Sequence, residues 1–393
     1  MTLRRLIPLA VTASVAAALV AAGPALASTA PVQLGFPAPA GPDQIGTVSL
    51  HLVQAGRPDP WAPGRTRELM ISLTYPARHA GRYPAAPYME EGAWQSLQQS
   101  DFSLGPALVP RTAAHEGAPV GRHPGGLPVI LYSPPSGGDR TFNTALVQDL
   151  ASRGYLVATV DHTYSDDEVE FPGGRVARRV LPAHQDTQQF TGEVAERDKD
   201  MRFALDALTA IDHGANPDAE HRTLPAGLRG AMNLTEIGML GMSLGGATAA
   251  ATMLDDSRIK AGVDMDGTLF GPVVTAGLNR PFMLLSSAGH NRGNDPSWAQ
   301  FWNASVGWKR DFQLLGSAHG SYFDAEILVP QVAGVLGLTP EKLAEIIGTI
   351  NPARAITVES AYLDAFFGQH LRHHPGHLLD GPSPRFPEMV FVP

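Results

Sequence analysis

The stretch "IGMLGMSLGGATAAA", residues 237–251, sets Ser243 between Gly241 and Gly245, where an apolar run gives way to an alanine-rich one. Strand before and helix after would place this serine on a sharp, strained turn with its hydroxyl exposed, the geometry of a nucleophile. Glycines are needed there because a Cβ would clash with the adjoining strand and helix. A chain with 41 glycines offers chance matches to the pattern, so the flanking elements carry the argument against a plain turn. A serine nucleophile needs a base. Of the 14 histidines, His319 in "FQLLGSAHGSYF" follows a strand late in the chain, as the order serine, acid, histidine expects. His162 in "TVDHTY" precedes the serine and is assigned a structural role near the site; His290 is a weaker rival on a loop. Three aspartates are candidates for the acid that would orient the base. Asp266 follows the strand after the nucleophile helix, Asp295 follows the next strand, and Asp264 lies within the earlier strand and is the weakest. The residues alone leave Asp266 and Asp295 both open.

Other chemistry is less well served. The chain has no cysteine, so disulfides, thiol catalysis and thiolate metal sites are excluded. "HLRHHPGH" invites a metal reading, but Pro375 interrupts it and no regular helical pair of histidines results, so a solvated tail is expected. The acidic run "SDDEVE" lacks a spaced calcium loop and reads as a solvated face. No metal or cofactor is expected. A formal net charge of −9 disfavours nucleic acid and anionic lipid as main partners.

The elements that must hold these residues follow from texture. "GTVSLHLV" and "RELMISLTYPA" alternate apolar and polar residues and read as an antiparallel hairpin. Residues 76–126 form a Pro/Gly-rich surface excursion with one helical patch, "EEGAWQSLQQS". Beyond it, buried strands such as "LPVILYS", "YLVATVDH" and "EIGMLGM" alternate with helices. That pattern predicts an α/β architecture, a mostly parallel sheet with helices on both faces and catalytic loops at the strands' carboxyl ends. At the N-terminus, Arg4 and Arg5, an apolar run from Ile7 to Ala22 and Ala25-Leu26-Ala27 read as a signal peptide over residues 1–27. The paired arginines hint at twin-arginine export, but their surroundings suit the general route better. Residues 28–393 are then expected to form one catalytic domain without a transmembrane segment.

The chain resembles the secreted platelet-activating-factor acetylhydrolase family, lipoprotein-associated phospholipase A2 and its bacterial relatives, over about residues 68–372. Gly241 to Gly246 match its Gly-x-Ser-x-Gly-Gly. "MDGTLFG", residues 265–271, resembles the stretch that carries its acid. "GSAHGSY", residues 316–322, resembles its histidine loop, and "INPARAITVESAYLDAFFGQHL" its closing helix. The resemblance implies an α/β-hydrolase fold and a triad of Ser243, Asp266 and His319. It implies backbone N–H donors for an oxyanion from Ser136 and Leu244. Where the family carries His-Gly, this chain has Pro134-Pro135, which lack N–H groups, so Ser136 is the first donor available after the strand.

Together these point to a secreted serine ester hydrolase, acting on phospholipids with a short or oxidised acyl chain and meeting its substrate at a lipid surface. The alternatives are a general carboxylesterase or lipase, including polyester hydrolysis, and a non-catalytic binding protein on the same fold. Substrate is expected to approach across apolar surface from residues 325–338 and 76–126.

Overall fold

The computed structural model describes residues 31–100, 102–182 and 186–393, so the signal peptide expected at 1–27 lies outside the described residues. The chain opens with β1 (Val32–Gln33) and a long antiparallel pair, β2 (Gln44–Pro58) and β3 (Thr66–Ala77). β4 (Ala85–Pro87), α1 (Glu91–Leu97), β5 (Ala107–Leu108) and β6 (Arg111–Glu116) follow. Then come β7 (Leu127–Ser133), α2 (Thr144–Ser152), β8 (Leu156–Val160), the hairpin β9 (Glu168–Phe171) and β10 (Arg175–Arg178), and α3 (Thr187–Asp212). The second half runs β11 (Met232–Met242), α4 (Leu244–Asp255), β12 (Ile259–Met265), α5 (Val273–Ala276), β13 (Phe282–Ser286), α6 (Pro296–Ala304) and β14 (Lys309–Leu314). It closes with α7 (Ala325–Val332), α8 (Pro340–Ile347), α9 (Pro352–Leu371) and β15 (Met389–Val392).

Among the described residues, eleven strands form the main sheet in the order β15-β14-β13-β12-β11-β7-β8-β3-β2-β6-β4. The six strands from β14 to β8 are mutually parallel. β7 and β8 are buried at every position, as apolar strands covered on both faces must be. One core packs residues of α2, α7 and α9 on one face of the sheet, including Leu146, Val332 and Phe366. The other packs α3, α4 and α6 on the opposite face, including Leu205, Met253 and Trp298. This is the α/β-hydrolase architecture, with helices on both faces.

Three expectations need correction. The 76–126 excursion is not only surface: β6 pairs with β2 and β4 with β6, extending the sheet edge. "RTAAHE" carries no alternation of large apolar residues, and backbone pairing decides its state. β15 joins β14 antiparallel at the other edge and had no counterpart in the sequence reading. "SDDEVE" is not a solvated face. Asp166 and Glu168 are buried, and Asp166 pairs with the buried Arg197 at 2.9 Å. A charge run reads as solvated only when its partner, here 31 residues away, is unseen.

Candidate active site

β11 is apolar up to Met242 because it lies in mid-sheet between β7 and β12. The chain then reverses into α4 through Ser243, whose φ of 55° and ψ of −121° no ordinary L-residue prefers. Such a conformation costs on the order of 1–3 kcal/mol and persists only where the surroundings enforce it. They do so here: the Ser243 N–H donates to Met265 O at 2.8 Å, tying the turn to the end of β12. A Cβ on Gly241 would strike the Gly245 backbone, and one on Gly245 would strike the carbonyl of Ser133. Both glycines flanking the serine are therefore required by close approach, and the turn lies against the end of β7.

Asp266 begins the loop after β12, also at positive φ (61°), with its N–H donating to Leu285 O at 2.8 Å. His319 opens a 3-10 turn (His319–Tyr322) after β14. The chain from β14 crosses the end of β13, where the Tyr322 hydroxyl donates to Ser286 O at 2.8 Å. This brings His319 Nδ1 to 2.7 Å from Asp266 Oδ2. Serine, acid and histidine thus stand at the carboxyl ends of β11, β12 and β14. No hydrogen bond joins Ser243 to His319 among the described residues; in free enzymes this contact is often loose and tightens around substrate. His319 is 40% exposed at its side chain, open to an incoming ligand, while Asp266 is buried beneath it.

Asp295 does not meet His319. Its Oδ1 accepts the Ser297 and Trp298 N–H groups and caps α6, with Pro296 at the first helical position. Between the two aspartates stands His290, which the sequence suggested only as a rival base. Its Nδ1 lies 3.1 Å from Asp266 Oδ1 and its Nε2 2.9 Å from Asp295 Oδ2. Burial would lower the pKa of His290, but the hydrogen bonds and charges of the two carboxylates outweigh it and push it up to about 10. Burial would raise Asp266, but the hydrogen bonds from His290 and His319 hold it well below the usual carboxylate range. Asp264 is buried with, among the described residues, only the Gly267 N–H on its Oδ1, and burial pushes its carboxyl up, toward the neutral form. No sequence signal distinguished His290; its proximity to Asp266 is created by the fold.

Of the expected oxyanion donors, Ser136 lies on the loop after β7 and Leu244 is the first residue of α4. Among the described residues, neither the Ser136 nor the Leu244 N–H donates to a protein acceptor. Pro134 and Pro135 are held from behind, Pro134 O accepting from Arg197 at 2.8 Å and Pro135 O from the Gly138 N–H at 3.0 Å. His162 lies in the same support. Its Nε2 meets Ser133 Oγ at 2.9 Å and its Nδ1 meets Asp200 at 3.0 Å. Burial and the nearby Arg197 push it down to about 4, so it is a neutral strut far from Asp266 in role. The C-terminal histidines disperse: His370 packs on Trp308, His373 pairs with Glu236 and His377 with Asp380.

Residues from 76–126 and 325–338 meet in one apolar groove, lined by Phe102, Leu104, Leu328 and Leu336 with Phe142 and Phe323. Phe142 and Phe323 stack at 6.1 Å, and Phe323 directly follows the histidine turn. No helix among the described residues is long and apolar enough to cross a membrane.

A strained serine turn, a buried aspartate and a partly exposed histidine on one α/β sheet invite comparison with known hydrolases. A probable 1-alkyl-2-acetylglycerophosphocholine esterase of Arthroderma benhamiae is 28% identical over 94% of this chain and 96% of its own. The platelet-activating factor acetylhydrolase of Bos taurus is 25% identical over 62% of this chain and 57% of its own. Among solved structures, a ferulic acid esterase from Streptomyces cinnamoneus superposes with a TM-score of 0.78 at 36% identity, over 92% of this chain and 99% of that one. These relatives mark the chain as an enzyme that hydrolyses esters. The family model for platelet-activating factor acetylhydrolase, isoform II, matches residues 108–376, a span that holds Ser136, Ser243, Asp266, His290 and His319, and it is to this family that the chain belongs.

Proposed function

We propose that this chain is an exported serine ester hydrolase that works through an acyl-enzyme. The observation that carries the reading is the 2.7 Å contact of His319 with Asp266, formed at the strand ends beside the strained Ser243 turn. Ser243 Oγ attacks the ester carbonyl carbon while His319 Nε2 accepts its proton. Negative charge collects on the carbonyl oxygen, facing the N–H groups of Ser136 and Leu244. Collapse breaks the bond to the leaving alkoxide, which takes the proton back from His319. Water then attacks the acyl-enzyme with His319 again as base, releasing the carboxylic acid and restoring Ser243. Asp266 stays ionised throughout, holding the tautomer of His319 and stabilising its imidazolium. Export is supported by Arg4, Arg5, the apolar run after them and Ala25-Leu26-Ala27.

The family and its fungal relative favour an acetylated or otherwise short-acyl glycerophospholipid as substrate. A second reading, a carboxylesterase of broader range, is favoured by the likeness to a ferulic acid esterase and by Pro134-Pro135 in the oxyanion loop. The apolar groove suits either an acyl chain or an aryl group. The test is kcat/KM across p-nitrophenyl esters of graded length, methyl ferulate and an acetylated ether phospholipid. The first reading expects the phospholipid to be the preferred substrate. Preference for methyl ferulate would transfer the assignment to the second. Leu336→Asp, on the half-buried rim of the groove, is expected to cost tenfold to a hundredfold on the longest accepted ester, roughly the value of one buried aliphatic side chain, and to spare the acetate ester. Equal losses on both would remove the groove from the substrate path.

A further inference from the structure

We propose that His290 is a positioning residue for ester hydrolysis: by bridging Asp266 and Asp295 it fixes which oxygen of Asp266 faces His319 and keeps that carboxylate charged. The proposal rests on the reading of Ser243, Asp266 and His319 as a triad.

The geometry is specific. Asp266 Oδ1 accepts from the Ser287 N–H at 2.7 Å and from His290 Nδ1 at 3.1 Å, which leaves Oδ2 for His319. The far side of His290 is equally committed, with Nε2 against Asp295 Oδ2. An ionised carboxylate accepts and cannot donate, so both ring nitrogens must donate and the ring must carry a proton on each. His290 is therefore a buried imidazolium between two carboxylates. Asp295 is fixed in turn by the Thr268 hydroxyl at 2.8 Å and by the helix it caps. The ring lies against Trp298 at 4.4 Å, and the Trp298 indole N–H donates to Gly267 O at 2.6 Å, beside Asp266.

The other ionisable groups around the ring leave this assignment intact. From β12, Asp264 faces it with a carboxyl that burial pushes up. From β14, Asp311 faces it, paired with Arg292 of His290's own loop at 2.5 Å. From α6 comes Asp295, from the loop after β12 comes Asp266, and beyond Asp266 stands His319. The arrangement has two effects on the base. It immobilises the acid, which raises the fraction of productive geometry. It also shares the charge of Asp266 with a second cation, which weakens the attraction of Asp266 for a proton on His319.

The test is the pH dependence of kcat/KM on a p-nitrophenyl ester, from about pH 5 to about pH 10, with thermal midpoints for the same proteins. His290→Gln is expected to lose on the order of tenfold to a hundredfold in kcat, the scale on which residues that orient a catalytic group act. Its acidic limb is expected to move to higher pH, because Asp266 no longer faces a second cation. A purely structural contact would lower the midpoint and leave both kcat and the limb in place, and that result would overturn the proposal. Asp295→Asn keeps a good helix cap and provides a second reading. With one carboxylate left to hold its proton, His290 should release it earlier, giving an alkaline decline that begins at lower pH than in the parent enzyme. Should His290→Gln fail to fold, an Asp295→Asn profile superimposing on the parent would itself overturn the proposal. Failure of the triad reading is a separate outcome, seen as turnover surviving Ser243→Ala.

Discussion

Asp266 is where the two open candidates for the acid separate. It is buried under His319 at 2.7 Å, whereas Asp295 spends its oxygens on the α6 cap, Thr268 and His290. Asp266→Asn is expected to leave the fold intact and to cost on the order of 10⁴ in kcat, because the amide favours the wrong tautomer of His319. Asp295→Asn is expected to stay within roughly tenfold of the parent at neutral pH, since it reaches the base only through His290. Side-by-side kcat and thermal midpoints check this, and the reverse order of losses would place the acid one strand later. Ser243 and its glycine flanks were legible because a strained turn imposes residue types on its own neighbourhood, and His319 because it follows a strand late in the chain. The residues left Asp266 and Asp295 both open, since both loops end adjacent strands, and the resemblance favoured Asp266. His290 was invisible as a partner, because its role depends on two carboxylates 24 and 5 residues away that converge in space.

At the scale of elements, periodicity identified the strands and helices that carry the site, from β7 to α9. It failed where backbone pairing rather than side-chain pattern decides, at β4, β6 and β15. It also gave no sign of the carboxyls buried between helices. Glu326 of α7 and Glu359 of α9 are fully buried, and neither oxygen of Glu359 has a hydrogen-bond partner among the described residues. Burial pushes Glu326 up to about 8, and burial with the nearby Glu326 raises Glu359 well above its usual value. Both groups hold protons in the folded state that the unfolded chain releases above about pH 4.5. Their contribution to stability is therefore present below that pH and is lost as pH rises toward the folded values, at about 1.4 kcal/mol per pH unit for each group. Glu359→Met, similar in volume and without a buried carboxyl, is expected to stabilise the protein more at pH 8 than at pH 5. Denaturant unfolding at both values checks it; a difference independent of pH would contradict the burial argument.

For the molecule as a whole, the absence of cysteine leaves stability to the two cores and to buried ion pairs. Arg67 with Asp59 and Asp200, and Arg197 with Asp166, are fully enclosed pairs, and Arg197 also holds the Pro134 carbonyl of the loop that carries Ser136. Core and support thus converge on one feature, a serine held in a conformation it would not adopt alone. The measurement that bears most directly on this account is fluorophosphonate labelling followed by intact-protein mass and peptide mapping, on the parent and on Ser243→Ala. The parent is expected to gain a single adduct on Ser243 and to lose ester hydrolysis in proportion. Ser243→Ala, with an unchanged thermal midpoint, is expected to gain no adduct and to lose several orders of magnitude in kcat. A folded Ser243→Ala protein that hydrolyses esters near the parent rate, or an adduct mapped to another residue, would contradict it.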